Sequence, residues 1–170
     1  FWIAAVLRPD SLLVAVLAVT LMILHAIRLV GWHTAVIWKK PLLWVLYLGY
    51  FWLTVAFALK AGVYFLDLSP FLALHAFSYG GIGMITLGMM SRVTLGHTGR
   101  NITEPPAAIF AVFAIIFAGA VTRVLLPLLD PLHYTLWIGL SQGLWVIAFM
   151  LFLYIYLPML SQPRIDGQPG

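Results

Sequence analysis

Five stretches of predominantly apolar residues, each long enough to cross a bilayer as a helix, leave this chain few folds to choose from. A hydrocarbon core of roughly 30 Å is spanned by about 20 such residues in helical form. Segments 11–31, 42–60, 71–91, 107–127 and 135–157 meet that length. The breaks between them carry Pro9-Asp10-Ser11, Lys39-Lys40-Pro41, Asp67-Leu68-Ser69-Pro70, Thr103-Glu104-Pro105-Pro106 and Asp130-Pro131. Proline in a first helical turn loses no needed hydrogen bond, so these are good helix starts. Composition points the same way. With 64% hydrophobic and 8% charged residues, a water-soluble domain of 170 residues could not hide its apolar surface. The expected fold is all-α: a polytopic membrane protein, a helical bundle of about five transmembrane helices. It forms a single membrane domain over residues 1–170.

Charge sets the expected orientation. Arg28, Lys39 and Lys40, then Arg92 and Arg100, then Arg164 fall on one side of the alternating spans. Arg8 and Lys60 fall on the other, with Arg123 inside the end of a span. The positive-inside bias places loop 31–41, loop 92–106 and the C-terminal tail in the cytoplasm. Trp32, Trp38, Trp44, Trp52, Trp137 and Tyr134 fall near expected span ends, where interfacial aromatics collect. The net charge of +4 is scattered over short loops and gives no nucleic-acid-binding cluster. Without cysteine there is no disulfide, thiolate ligand, iron–sulfur site or covalent c-type haem attachment. The opening Phe1-Trp2-Ile3, followed by Arg8-Pro9-Asp10, lacks a signal-peptide pattern. It reads as the end of an earlier helix in a longer protein, or as a processed terminus.

The third span carries the polar chemistry. His75, Ser78, Tyr79 and Thr86 interrupt its apolar run, and glycines stand at 80, 81, 83 and 88. An ionisable group at membrane depth is a functional hypothesis by default. Ala73, Ala76, Gly80 and Gly83 make a small-residue stripe suited to close helix approach, or to a flat ligand lying against the glycines. Depth then constrains the candidates. At 1.5 Å per residue, His75 lies about 6 Å and His25 about 20 Å below the outer ends of their spans. An offset of roughly 13 Å exceeds ordinary tilt, so the two histidines should not ligate one metal. Tyr47 and Met84 share the level of His25, and Arg123 shares that of His75.

His75 and His25 are the candidate metal ligands, since neutral imidazole is the commonest ligand of its kind. The ordinary alternative for each is a buried or interfacial histidine bonded to a neighbouring carbonyl or hydroxyl. Arg123 either snorkels to the headgroups or pairs with an anionic group such as a haem propionate. His33, His97 and His133 lie in loops or at interfaces and read as solvated.

The run from His75 to Arg100, ending in Leu95-Gly96-His97-Thr98-Gly99-Arg100, resembles the NnrS family of bacterial inner-membrane proteins. His25-Ala26-Ile27-Arg28-Leu29 with Gly31-Trp32, the opening Pro41-Leu42-Leu43-Trp44, and the tail Pro163-Arg164-Ile165-Asp166-Gly167 are similar too. The resemblance covers nearly the whole chain and implies roughly the C-terminal half of a longer family member. It implies a haem- and copper-containing membrane protein linked to nitric oxide and to protection from nitrosative stress. On that reading, haem and copper are the expected cofactors, and His75, His25, Arg123, Met84 and Tyr79 are the candidate cofactor-binding residues. The expected location is the bacterial inner membrane, multi-pass, with a cytoplasmic C-terminus.

The alternative is a cofactor-free structural or accessory transmembrane subunit of a larger complex. No acid–base pair or nucleophile constellation stands out in the sequence. Expected partners are the lipid bilayer and further transmembrane helices, of the same protein or of other subunits. Seven tryptophans and eleven phenylalanines exceed what two interfacial belts require, which suggests aromatic outer faces that meet such helices.

Overall fold

The computed structural model of the chain describes residues 1–167; the last three residues of the tail 163–170 lie outside the described residues. A short helix α1 (Trp2–Leu7) precedes five long helical spans. These are α2 (Leu12–Trp32), α3 (Pro41–Phe65), a composite third span (Pro70–His97), α6 (Ile109–Leu129) and a fifth span over Pro131–Leu160 that contains α7 (Tyr134–Leu160). The third span is built of α4 (Pro70–His75), a π-helical segment (Ala76–Gly83) and α5 (Met84–His97). All five are long and apolar enough to cross a membrane. Five helices of membrane-crossing length are therefore present as expected, with α3 running five residues and the third span six residues further than the sequence suggested.

Local chemistry sets the starts. Ser11 caps α2 by accepting a hydrogen bond from the Val14 amide, and Pro41 and Pro70 open their helices at the first position. Pro127 and Pro158 instead sit inside the last turns of α6 and α7, where each removes one amide donor from the ladder near the helix end. The loops sort to two ends of the bundle. Lys60 Nζ donates to the Pro9 carbonyl at one end, and Lys40 Nζ donates to the Thr103 carbonyl at the other. The Ile165 amide reaches the Thr98 carbonyl at that second end.

The antiparallel pair α2–α3 flanks one side of the third span, and the pair α6–α7 flanks the other. The third span is accordingly the most buried, while α2 and the fifth span are the least. Lipid tails are as apolar as leucine, so close packing rather than escape from water must hold such a bundle together. The small stripe Ala73, Ala76, Gly80 and Gly83 is buried and takes large side chains from its neighbours. A Cβ at Gly80 would stand 2.5 Å from the Trp52 ring, and one at Gly83 would stand 2.6 Å from Trp145. Leu53 covers Gly81. The glycine face is thus filled by the protein's own side chains, which occupy the space a flat ligand would need.

Aromatic placement departs from the sequence expectation. Trp52 is 1% exposed and Trp44 7% exposed, so both belong to the core and not to an interfacial belt. Because α3 runs to Phe65, Trp52 is a mid-helix residue. Tyr79, Phe113, Phe152 and Tyr156 are buried as well, so much of the aromatic excess works inside the bundle. Trp2, Trp32, Trp38, Phe71 and Tyr154 remain on its outside.

Candidate functional site

The five candidate residues fall in three places. His75, Arg123 and Tyr79 meet between the third span, α6 and α7; His25 lies on the outer helix α2; Met84 is fully buried in the core beside Gly49.

At the first place, α4 ends on His75 and the backbone widens into the π segment. Single π turns concentrate at functional sites. The wider turn carries Tyr79 into the core while Ser78 stays exposed. Tyr79 fits only because α6 has a glycine where the phenol arrives: a Cβ at Gly119 would collide with the Tyr79 hydroxyl. That hydroxyl donates to the Ser141 carbonyl at 2.7 Å, and its ring meets Trp145 edge-on at 4.7 Å. Arg123 reaches the same point from α6. Its Nη1 donates to the Ile138 carbonyl at 3.4 Å and to Ser141 Oγ at 3.3 Å, and its Nη2 lies 3.3 Å from His75 Nε2.

The proton inventory follows from that last contact. A guanidinium only donates, so His75 Nε2 accepts, the imidazole is neutral, and Nδ1 carries its proton. Among the described residues, His75 Nδ1 and Arg123 Nε are buried without a hydrogen-bond partner. The same residues offer Arg123 no acidic partner, because the ion pairs among them are His133–Asp130 and Arg164–Asp166. A cavity of about 200 Å³ opens here, lined by His75, Ser78, Tyr79, Arg123, Gln142 and Trp145.

His25 has a different setting. Its ring stacks on Phe57 at 5.2 Å with 7° between planes and meets Tyr50 edge-on. Its Nδ1 is hydrogen-bonded to the Tyr50 hydroxyl. Nε2 has no partner among the described residues and is not buried. Beyond Tyr50 lies an apolar groove of about 390 Å³ lined by Trp32, Leu43, Leu46, Tyr47, Tyr50 and Ile85. Arg28, one turn from His25, sits 5.7 Å over the Trp32 ring. Tyr47, expected at this level, donates instead to the Leu29 carbonyl. Nothing in the sequence singled out Tyr50 as the partner, although it lies three residues beyond Tyr47 on the same helix. Among the described residues no three His, Cys, Asp or Glu side chains converge as a metal cluster.

Ser141, Gln142 and Trp145 were also missed by sequence reasoning. A serine–glutamine pair inside an otherwise apolar span is the signal that could have found them.

Fold and sites together define a class: a multi-pass helical membrane protein with two histidine-centred polar sites, one wedged between helices and one on the rim. A family model described as NnrS protein matches residues 1–164, and the chain belongs to the NnrS family. No curated protein and no solved structure matches it.

Proposed function

We propose that this protein binds haem in the membrane and acts in nitric oxide handling or protection from nitrosative stress, with His25 as the iron ligand. Family membership supports the nitric oxide link. One observation carries the residue assignment: His25 is held through Nδ1 by Tyr50 and braced by Phe57, while Nε2 stays open. Ligating histidines usually give their second ring N–H to an orienting acceptor, and Tyr50 fills that role when Nδ1 carries the proton. The adjoining apolar groove falls within the size range of ligand pockets, roughly 300–1,000 Å³. Arg28, one turn along α2, would pair with the carboxylates of such a group. An open imidazole nitrogen, a groove beyond Tyr50 and a nearby arginine support haem as the bound group. When bound, it supplies an iron centre for diatomic ligands and electron transfer. The chain's own part is to hold that centre, fix the imidazole and shield it with Trp32, Tyr47 and Tyr50. The orientation that goes with this reading puts the chain in the bacterial inner membrane, with the Thr98–Ile165 end of the bundle in the cytoplasm.

The contrast between the two histidines supplies the test. The imidazole lone pair of His75 is engaged by Arg123, so His75 should not be required for haem. Haem content per chain is measured from the absorption spectrum of protein purified in mild detergent. His25→Ala is expected to lose the bound haem, and His75→Ala to retain it. Full haem in the His25→Ala protein would refute the assignment, and a haem-free parent protein expressed with haem in excess would refute the reading itself.

A further inference from the structure

The cleft at His75 has no role in that reading, yet its chemistry is one-sided. It brings together a guanidinium, an imidazole N–H and a glutamine amide, and no acidic side chain among the described residues lines it. Arg123 has five N–H donors, and three hydrogen bonds account for both on Nη1 and one on Nη2. What remains includes the buried Nε–H, and His75 Nδ1–H is buried and unpartnered as well. Unpartnered buried donors are costly, and a half-buried cation without a counter-charge adds to that cost.

We propose that this cleft binds a small planar monovalent oxyanion, of the nitrate, nitrite or carboxylate kind. Charge, donor geometry and size each bear on that choice. A single guanidinium calls for a single negative charge. An oxyanion with two oxygens in one plane matches the forked edge of arginine, as Arg164 shows by gripping both Asp166 oxygens through Nε and Nη2 at 2.9 and 2.6 Å. His75 and Gln142 line the same space and carry donors of their own outside that edge. A space of about 200 Å³ takes an anion of a few atoms, whereas drug-sized ligands occupy roughly 300–1,000 Å³. Gln142 fits the same picture: it is an exposed amide within a span, and in lipid it would otherwise have nothing to bond. The site does not depend on haem, because none of these groups touches His25.

The test uses the full chain in nanodiscs, titrated calorimetrically with sodium nitrate, nitrite and formate, with gluconate holding ionic strength constant. One saturable site is expected. Arg123→Gln should weaken it at least about tenfold, and Arg123→Lys, which keeps the charge but loses the fork, should fall between. Gln142→Ala, at an exposed position that leaves the core alone, should weaken it about threefold and covers the case in which Arg123→Gln fails to fold. In protein labelled with ¹⁵N-histidine, nitrate should shift the His75 Nδ1 resonance. Absence of saturable binding in the parent protein overturns the proposal, as does unchanged affinity in Arg123→Lys and Gln142→Ala together. Tighter binding of glycerophosphate than of nitrate would assign the cleft to a lipid headgroup and overturn it. Nitrate binding confined to haem-free protein would assign it to a haem carboxylate, with the same consequence.

Discussion

His25 and His75 are the same side chain on the first and third spans, and the fold treats them in opposite ways. His75 sits where three helices meet, its Nε2 bonded to Arg123 and its Nδ1 buried. His25 sits on an outer helix, fixed by one hydroxyl and one stacked ring, with a ring nitrogen left open. The difference follows from position in the bundle. A site wedged between helices is small and polar, because whatever lines it must also close the gap between backbones. A site on the rim has one packed wall, so it can take a large flat ligand without unpacking the core.

The strongest way to break this contrast is to close one site by overpacking. Gly119 lies under the Tyr79 hydroxyl, so Gly119→Leu must push that ring off the Ser141 carbonyl. Overpacking of this kind costs about 1–3 kcal/mol. Thermal unfolding should show that loss, and oxyanion binding at the His75 cleft should disappear while haem content stays near that of the parent. Gly31→Leu is the control on α2, where an added Cβ meets nothing within 4 Å. It should leave the melting temperature unchanged. If Gly119→Leu also emptied the haem site, the two regions would be one cooperative unit and the contrast would fail.

A smaller effect should appear on the other side of the comparison. Tyr50→Phe removes the acceptor that orients His25 but keeps the ring that meets it edge-on. Loss of such an outer partner typically costs about 10–100-fold in metal affinity. Haem titration of the apo-protein should show a drop of that order, with nitrate affinity unmoved. A Tyr50→Phe protein that binds haem as tightly as the parent would mean that Tyr50 does not orient the ligand.

The sequence carried the spans because bilayer thickness and helical rise leave little freedom, and prolines such as Pro41 and Pro70 mark where helices begin. It also carried the shared height of His75 and Arg123, since depth depends only on residue count along each helix. It did not carry azimuth. Tyr47, Tyr50 and Met84 all lie near the level of His25, and only the rotation of α3 and the third span decides which of them meets it. The π segment was illegible for a related reason: Ala76–Gly83 reads as an ordinary glycine-rich helix, and Trp52, Leu53 and Trp145 pack against its glycines from elements distant in sequence. The wider turn of that segment is what seats Tyr79 in the core beside Arg123.

The smallest expected effect probes that seat directly. Tyr79→Phe keeps the ring against Trp145 and removes only the hydrogen bond to the Ser141 carbonyl. A typical hydrogen bond contributes about 0.5–1.5 kcal/mol net. The Ser141 carbonyl has a second lone pair for the helix ladder of α7, so its loss is partial and the cost should lie near the low end, about 0.5 kcal/mol. Ser141 Oγ still receives Arg123, so the guanidinium stays in place and nitrate affinity should fall by only about twofold. Unfolding measurements and the same titration decide the point. A loss of tenfold or more in affinity would show that Tyr79 touches the anion itself and belongs to the binding site, not to the wall that supports it.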